Sequence, residues 1–121
     1  MSDDATARAR AAAALAALKA RYRGEAAALC DRFAELGAQL AADPGNARAI
    51  GELARTVHRV HGTAGSLGFD AASARSAALE ALVEGWRGTE GPDRAARGGI
   101  VVEFARALRA DFGIDGGAPP E

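Results

Sequence analysis

The sequence predicts an all-α protein, an up-down-up-down four-helix bundle with an additional N-terminal helix. Alanine is abundant and proline scarce, and only 5% of the 121 residues are aromatic, a composition that favours helix over strand. Apolar residues recur every three or four positions, the period of an amphipathic helix. Short runs of turn-forming residues join these segments, and short connections favour antiparallel neighbours.

Two helices are predicted first, at about 4–21 and 24–42, with Gly24 as the point where the chain breaks or bends. Asp3 and Asp4 can cap the first of them, because acidic groups are favourable at the positive end of a helix dipole. The later helices need a surface to pack on, which favours a core role for the apolar stripe of this segment over a coiled-coil dimer seam. The stripe consists of Leu15, Leu18, Tyr22, Leu29, Phe33, Leu36 and Leu40.

A central helix is predicted at about 47–67. The turn formers of 43–46 precede it and offer Asn46 as its N-cap, and Gly68 follows it as a C-cap glycine. Asp70 can then cap the next helix, which carries small residues together with Leu79, Leu82 and Val83.

The segment 85–92, which includes Trp86, is a loop by composition. A last helix is predicted to begin near Pro92 or Asp93, weakened by Gly98 and its glycine neighbour. Its apolar face consists of Val101, Phe104, Ala105, Leu108 and Phe112. We therefore expect one domain over 1–114, followed by a disordered tail at 115–121.

Both histidines of the chain lie in the central helix. On a helix His58, Gly62 and Gly65 share one face, so the imidazole of His58 stands among positions without large side chains. A mid-helix Gly is less favourable than Ala by about 0.8 to 1 kcal/mol. Two such residues here indicate that something approaches the backbone closely, and the pattern predicts a docking surface.

This pattern resembles the histidine-containing phosphotransfer (Hpt) domain of bacterial two-component phosphorelays, whose helix reads His-x-x-(Lys/Arg)-Gly-x-(Ala/Ser)-x-x-(Leu/Ile)-Gly. The sequence departs from it at one position, where His61 replaces the usual basic residue. Leu79-Glu80 is similar to the Leu-Glu pair of the family's next helix. The resemblance covers about 12–85 and implies the same bundle fold. The matching residues are His58, His61, Gly62, Ala64, Leu67 and Gly68.

The resemblance implies that His58 receives a phosphoryl group from a receiver-domain aspartate and passes it to another receiver domain. An exposed imidazole is substantially neutral near pH 7 and has a nitrogen lone pair for in-line attack. A phosphoryl group brings about 1.5 to 2 negative charges, so basic neighbours within one helical turn are useful. If His61 takes the basic role, phosphate stabilisation is expected to depend on pH. The predicted phosphate and partner contacts are Arg55, Arg59, His61, Gly62, Gly65 and Ser66.

The sequence lacks a Gly-rich nucleotide loop, a metal-binding carboxylate cluster and a Ser or Cys nucleophile paired with a base. We therefore expect neither ATP hydrolysis nor self-phosphorylation. The resemblance implies no cofactor in this chain, with Mg²⁺ and the catalytic aspartate pocket supplied by the receiver domain of a response regulator. A hybrid histidine kinase is the other implied partner.

Composition limits the location and the partners. A net charge of −1 argues against general attraction to nucleic acid or an anionic membrane. No apolar run approaches the ~20 residues that span a bilayer. Cys30 is the only cysteine, which excludes an internal disulfide, and is interpreted as a core residue. We expect a cytoplasmic monomer.

Three alternatives remain open from the sequence alone. The chain could be a helical adaptor that binds a receiver domain without accepting phosphate. It could be the excised phosphorylatable domain of a chemotaxis-type histidine kinase. It could also bind a metal ion through His58 and His61, although two ligands without a nearby Cys, Asp or Glu make a poor zinc site.

Overall fold

The computed structural model describes residues 3–87, 91 and 93–114, so the predicted tail at 115–121 lies outside the described residues. Within this part of the chain there are four α-helices, one short 3-10 helix and no strand, which confirms the predicted all-α class. The helices are α1 (Asp3–Ala42), α2 (Ala47–Leu67), α3 (Asp70–Trp86) and α4 (Arg97–Phe112), with the 3-10 helix at Arg94–Ala96.

The four helices form the predicted up-down-up-down bundle. α1 and α3 each contact both α2 and α4. α1 and α4 are antiparallel, because Arg23 near the start of the bundle donates to the carbonyl of Phe112, whereas Gly37 lies against Gly98 at the opposite end. Connections of only a few residues return the chain between α1, α2 and α3, so these neighbours are antiparallel as well.

α1 is one continuous helix of 40 residues, so the predicted break at Gly24 is wrong. Gly24 is exposed, and a Cβ placed on it would meet no heavy atom within 4 Å. The position therefore imposes no bend, and the cost of about 1 kcal/mol for one mid-helix glycine is outweighed by its helix-forming neighbours. The additional N-terminal helix is thus the beginning of α1.

Two residues of the α1 stripe lie outside the core. Leu15 and Leu18 are each 46% exposed, so their assignment to the core is wrong, whereas the stripe is buried from Tyr22 onward apart from the partly buried Leu29. The reason is length: α1 passes the end of the bundle near Lys19, whose ammonium lies 5.0 Å from the ring centroid of Phe69 at the α2–α3 corner.

The observed boundaries of α2 agree with those predicted from the sequence. Asn46 accepts a hydrogen bond from the backbone N–H of Ala49 at 3.0 Å, and Gly68 ends the helix with φ of 86°, a conformation that favours glycine. Asp70, in contrast, is the first residue of α3 rather than its cap. Phe69 holds the cap position, where its side chain has no group that can hydrogen-bond; its ring packs against that of Phe112 instead.

The opposite end of the bundle differs from the prediction. Trp86, expected in a loop, is the last residue of α3 and is 3% exposed. Its Nε1 donates to Asp93 at 2.5 Å, and its ring lies 5.3 Å from the guanidinium of Arg97, where α4 begins after the 3-10 helix. Residues 88–90 and 92 of the expected loop lie outside the described residues.

The core between the helices contains most of the expected apolar residues. The predicted apolar face of α4 is buried throughout, and Cys30 is a core residue with 1% exposure, as expected. None of the helices in the described ranges has the length and apolar character to cross a membrane. The bundle thus provides a rigid support for residues on its outer surface.

Candidate functional site

The two histidines project from the middle of α2. Val57 and Val60 on the same helix are buried and hold it against the core, so His58 and His61 face outward. The side chain of His58 is 73% exposed and that of His61 is 42% exposed. His58 is therefore open to an approaching protein, as the sequence predicted from its helical position.

A carboxylate on α3 contacts both imidazoles. Oε2 of Glu80 lies 2.5 Å from Nδ1 of His58, and Oε1 lies 2.9 Å from Nδ1 of His61. The two hydrogen bonds lower the pKa of Glu80 below its ordinary value, with His58 as the larger cause. Glu80 is therefore an ionised acceptor at neutral pH.

This contact determines the tautomer of each ring. An ionised carboxylate can only accept hydrogen bonds, so Nδ1 of both imidazoles must carry a hydrogen. When His58 is neutral, its lone pair is on Nε2, the ring nitrogen directed away from Glu80. Nε2 of an exposed, oriented imidazole is a competent nucleophile.

In the sequence, Glu80 stands out only through the resemblance, as part of the Leu-Glu pair, and not as a contact of His58. Twenty-two positions separate the two residues, and no local pattern joins them. Its neighbour Leu79 is 3% exposed and anchors α3 in the core, which turns Glu80 toward the surface of α2. The antiparallel packing of α2 and α3 then brings it to His58.

Arg55 and Arg59 lie beside His58, as predicted. Both are exposed, and together with Glu52, Thr56 and His58 they line a groove of about 510 Å³. Glu52 is held by Arg32 of α1, which donates two hydrogen bonds of 2.6 Å to its carboxylate. The negative charge of Glu52 is thus paired with the positive charge of Arg32, and Arg55 and Arg59 add positive charge near His58.

A second groove continues the surface toward α1. It measures about 480 Å³ and shares Thr56 and Arg59 with the groove beside His58. The sequence does not reveal this groove, because its walls come from two helices whose relative placement requires the fold. It is lined by Tyr22, Glu25, Ala28, Leu29, Thr56, Arg59, Val60 and Thr63.

The two glycines of the face differ in their surroundings. A Cβ on Gly62 would meet nothing within 4 Å, so this position is open surface one turn from His58. A Cβ on Gly65 would lie 3.0 Å from Oγ of Ser73 on α3, and that hydroxyl donates to the carbonyl of His61 at 3.1 Å. Gly65 therefore has a packing role of its own. Ser66 is exposed on the same helix, and its partner contact stays a prediction.

Two other kinds of site receive no support from the described residues. Burial raises the pKa of the Cys30 thiol to about 11, so it is not a thiolate nucleophile at neutral pH. In the ranges that the structure describes, no group of three or more His, Cys, Asp or Glu side chains is placed to hold a metal ion.

Two of three comparisons with known proteins give a match. The model of the Hpt domain family matches residues 17–111. The chemotaxis protein CheA of Halobacterium salinarum is 36% identical over 78 residues, which is 64% of this chain and 10% of the relative. The chain thus matches about a tenth of the length of that relative. No solved structure gives a significant match.

Proposed function

The chain belongs to the Hpt domain family and has a role in histidine phosphotransfer within two-component signalling; we propose that His58 is the phosphoryl acceptor of a phosphorelay. In this proposal the phosphoryl group comes from a receiver-domain aspartate and is passed to a second receiver domain. The observation that carries the proposal is the hydrogen bond between Nδ1 of His58 and Glu80, which places the lone pair of the neutral ring on Nε2 of a side chain that is 73% exposed.

The transfer step follows from this geometry. The Nε2 lone pair attacks the phosphorus of the aspartyl phosphate in line, an N–P bond forms, and the O–P bond breaks with its electron pair on the departing carboxylate. The ring keeps its hydrogen on Nδ1 and gains positive charge. Glu80 accepts the hydrogen bond from this N–H and stabilises the positive charge, so the same contact serves the return step, in which a second aspartate attacks the phosphorus.

The surroundings of His58 suit a phosphoryl group. Arg55 and Arg59 are positive at neutral pH, and both line the groove at His58. We propose that they attract the phosphoryl group and the acidic pocket of the receiver domain. Mg²⁺, which neutralises phosphoryl oxygens during transfer, is proposed to belong to the receiver domain.

The partners are proposed from the resemblance and the family. They are receiver domains of response regulators and a hybrid histidine kinase, which would meet this chain in the cytoplasm. The open position at Gly62 and the groove between α1 and α2 supply the contact surface next to His58.

Transfer of labelled phosphate tests the proposal. A response regulator carrying ³²P on its aspartate should lose label to this chain, and His58→Gln should abolish the transfer. His61→Gln is the matched control, because it removes the other imidazole that contacts Glu80 and leaves the acceptor in place. Undiminished labelling of His58→Gln would overturn the assignment of the acceptor.

A second candidate role is the phosphorylatable domain of a chemotaxis-type histidine kinase. The similarity to CheA favours it. In that case the label should come from ATP through the catalytic domain of such a kinase, and the same His58→Gln variant should block it. Label from a phosphorylated receiver but not from the kinase favours the relay role, and the opposite result favours the kinase role.

The adaptor alternative predicts a different outcome. A chain that binds receiver domains without accepting phosphate should bind equally well as His58→Gln, with no acid-labile phosphate trapped on the wild type. The exposed, oriented Nε2 supports the acceptor role over this alternative.

A further inference from the structure

Two contacts between α2 and α3 are repeated at the same interval along both helices. Oε2 of Glu80 on α3 lies 2.5 Å from Nδ1 of His58 on α2. Seven positions earlier on α3, Ser73 faces Gly65 of α2, and a Cβ on this glycine would lie 3.0 Å from the Ser73 hydroxyl oxygen. Gly65 is likewise seven positions from His58. Because the two helices are antiparallel, one register of α3 against α2 produces both contacts.

The hydroxyl of Ser73 bonds to the backbone of α2. It donates to the carbonyl oxygen of His61 at 3.1 Å, which within the helix also accepts from the backbone N–H of residue 65. A Cβ at 3.0 Å from the hydroxyl oxygen is closer than an ordinary van der Waals contact, so a side chain at position 65 would displace the hydroxyl. Gly65 therefore leaves a notch on α2, lined by its own backbone and the His61 carbonyl, that receives Ser73.

This hydrogen bond restrains the axial position of α3. The apolar contacts between the helices supply most of the attraction, but hydrophobic attraction is non-directional. A hydrogen bond, in contrast, weakens steeply outside a narrow range of distance and angle. Ser73 thus holds α3 at one point along α2, and Glu80, about 10.5 Å further along the axis of α3, falls level with His58.

The contacts of Glu80 are sensitive to this register. Its two carboxylate oxygens contact two different imidazoles, at 2.5 Å for His58 and 2.9 Å for His61. A displacement of α3 by about 1 Å must be taken up by the Glu80 side chain, at the cost of the length or angle of at least one of these bonds. The orientation of the imidazoles therefore depends on what holds α3 in place.

We propose that Ser73 is a positioning residue for phosphotransfer, because it holds α3 in the register that brings Glu80 to His58. This role rests on the acceptor role proposed for His58, and it gives Ser73 no contact with the phosphoryl group. Gly65 takes part in the same register, as the position that admits the Ser73 hydroxyl. His61 is then held at both ends, by Ser73 at its carbonyl and by Glu80 at its ring.

Ser73→Ala removes the hydroxyl and keeps the Cβ. Transfer of ³²P from a phosphorylated response regulator to the full chain should slow by about three- to tenfold, because the contact between Glu80 and His58 is formed less often. ¹⁵N NMR at a pH at which both rings are neutral gives a second readout, in which the hydrogen of the His58 ring should shift from Nδ1 toward Nε2. A loss of stability alone would leave the tautomer of the folded protein unchanged, so this readout separates positioning from stability.

Ser76→Ala is the matched control. Ser76 is also on α3 and is fully buried, and its hydroxyl has no hydrogen-bond partner among the residues that the structure describes. The substitution removes the same atom from the same helix without the bond to α2. It should therefore leave both the transfer rate and the tautomer of His58 at their wild-type values.

A double-mutant cycle tests whether Ser73 acts through Glu80. In Glu80→Gln the carboxylate is already absent, so the addition of Ser73→Ala should slow transfer by less than about twofold further. An effect of Ser73 that does not pass through Glu80 would instead slow transfer by the same factor in both backgrounds.

Gly65→Ala tests the notch from the side of α2. The added Cβ would lie 3.0 Å from Oγ of Ser73 but 3.7 Å from its Cβ, so it displaces the hydroxyl in the wild type and meets only an ordinary contact in Ser73→Ala. It should slow transfer by about threefold or more in the wild type and by less than about twofold in Ser73→Ala. A role of Gly65 in partner docking predicts the same slowing in both backgrounds.

Either an unshifted His58 tautomer or an unchanged transfer rate in Ser73→Ala would overturn the proposal, as would equal slowing with and without Glu80. Equal slowing by Gly65→Ala in both backgrounds would overturn the part of Gly65 in the register. The acceptor role fails separately. Undiminished labelling of His58→Gln would remove His58 as the acceptor, whereas an unshifted tautomer in Ser73→Ala with labelling of His58 intact would remove only the positioning role.

Discussion

Glu80 on α3 lies within 2.5 Å of Nδ1 of His58 on α2, and its second oxygen lies 2.9 Å from Nδ1 of His61. One carboxylate therefore orients two imidazoles that are one helical turn apart. The proposed acceptor is thus not an isolated histidine on a helix surface, and its reactivity depends on a residue of a different helix.

Replacement of this carboxylate tests its role. In Glu80→Gln the amide cannot accept hydrogen bonds on both sides, so one imidazole loses its orientation and the positive charge formed on His58 loses its partner. We expect the rate of labelled transfer to fall about 10- to 100-fold. The free energy of unfolding should change by less than about 0.5 kcal/mol, because the side chain is at the surface.

The matched control is Glu84→Gln, an exposed glutamate one turn further along α3. It should transfer at the wild-type rate. ¹⁵N NMR of the imidazoles gives a second readout, since Glu80→Gln should shift the tautomer of His58 away from hydrogen on Nδ1. Wild-type transfer and an unchanged tautomer in Glu80→Gln would show that the contact is incidental.

Gly62→Ala separates stability from docking. A Cβ at Gly62 meets nothing within 4 Å, so alanine should raise the free energy of unfolding by about 0.5 to 1 kcal/mol through helix propensity. The same methyl group adds bulk one turn from His58, so transfer should slow by several-fold. Denaturant unfolding and labelled transfer measure the two effects.

Gly24→Ala provides the comparison. Gly24 is also exposed in a helix interior, where an added Cβ would meet nothing within 4 Å, but it is on α1 and does not line the groove at His58. It should give the same stabilisation with unchanged transfer. Equal transfer by both variants would remove Gly62 from the docking surface.

The comparison of sequence and structure shows what a local pattern can reveal. The exposure of His58, the cap at Asn46 and the end of α2 at Gly68 depend on residues within a few positions, so the sequence predicts them correctly. The role of Glu80 depends on the packing of two helices. Only the resemblance to the Hpt family singles out Glu80 in the sequence, and the resemblance does not show that Glu80 contacts His58.

The errors have a common physical cause. The sequence shows the periodicity of α1 but not where its neighbours end, so it assigns Leu15 and Leu18 to a core that does not reach them. Composition likewise places Trp86 in a loop, although its burial against Arg97 extends α3 to that residue. In each case tertiary contacts, or their absence around Leu15 and Leu18, decide the outcome.

Gly98, which the sequence marks only as a weak point of α4, has a packing role. A Cβ there would lie 2.5 Å from the backbone nitrogen of Ala41, so α1 and α4 approach each other at this glycine. Gly98→Ala should destabilise the protein by about 1 to 3 kcal/mol, since neither backbone can move without loss of packing. Urea unfolding measures the difference.

Gly99→Ala is the control for this effect, because a Cβ at that neighbouring position meets nothing within 4 Å. It should stabilise the helix by about 1 kcal/mol. If Gly98→Ala were also stabilising, the close approach of α1 and α4 would not contribute to the fold.

The Arg32–Glu52 pair predicts a loss of stability in acid. Two hydrogen bonds from Arg32 lower the pKa of Glu52 in the folded state below its unfolded value of about 4.3. The contribution of the pair is therefore complete above that value and is lost as the pH falls through the folded pKa. Glu52→Gln should be less stable than wild type at pH 6 to 8 (about two to four units above that value).

The difference between the two proteins should shrink below about pH 4. Thermal unfolding at a series of pH values measures it. Arg32→Gln, which removes the positive charge instead, should show the same convergence. A difference that stayed constant into acid would show that Glu52 contributes by packing rather than by charge.

His61→Lys tests whether His61 replaces the basic residue of the family. Nδ1 of His61 donates to Glu80, so its Nε2 can donate to a phosphoryl group on His58 only when the ring is protonated. Lysine is charged throughout the neutral range. The variant should therefore favour the phosphorylated form by about threefold or more at pH 8.

The measurement is the equilibrium partition of label between this chain and a receiver domain, expressed as the ratio of His61→Lys to wild type. His61→Ala, which removes the ring and its hydrogen bond to Glu80, is the control and should show no such gain over wild type. A ratio near one for His61→Lys would mean that a positive charge at this position does not act on the phosphoryl group, which would leave Arg55 and Arg59 as its positive neighbours.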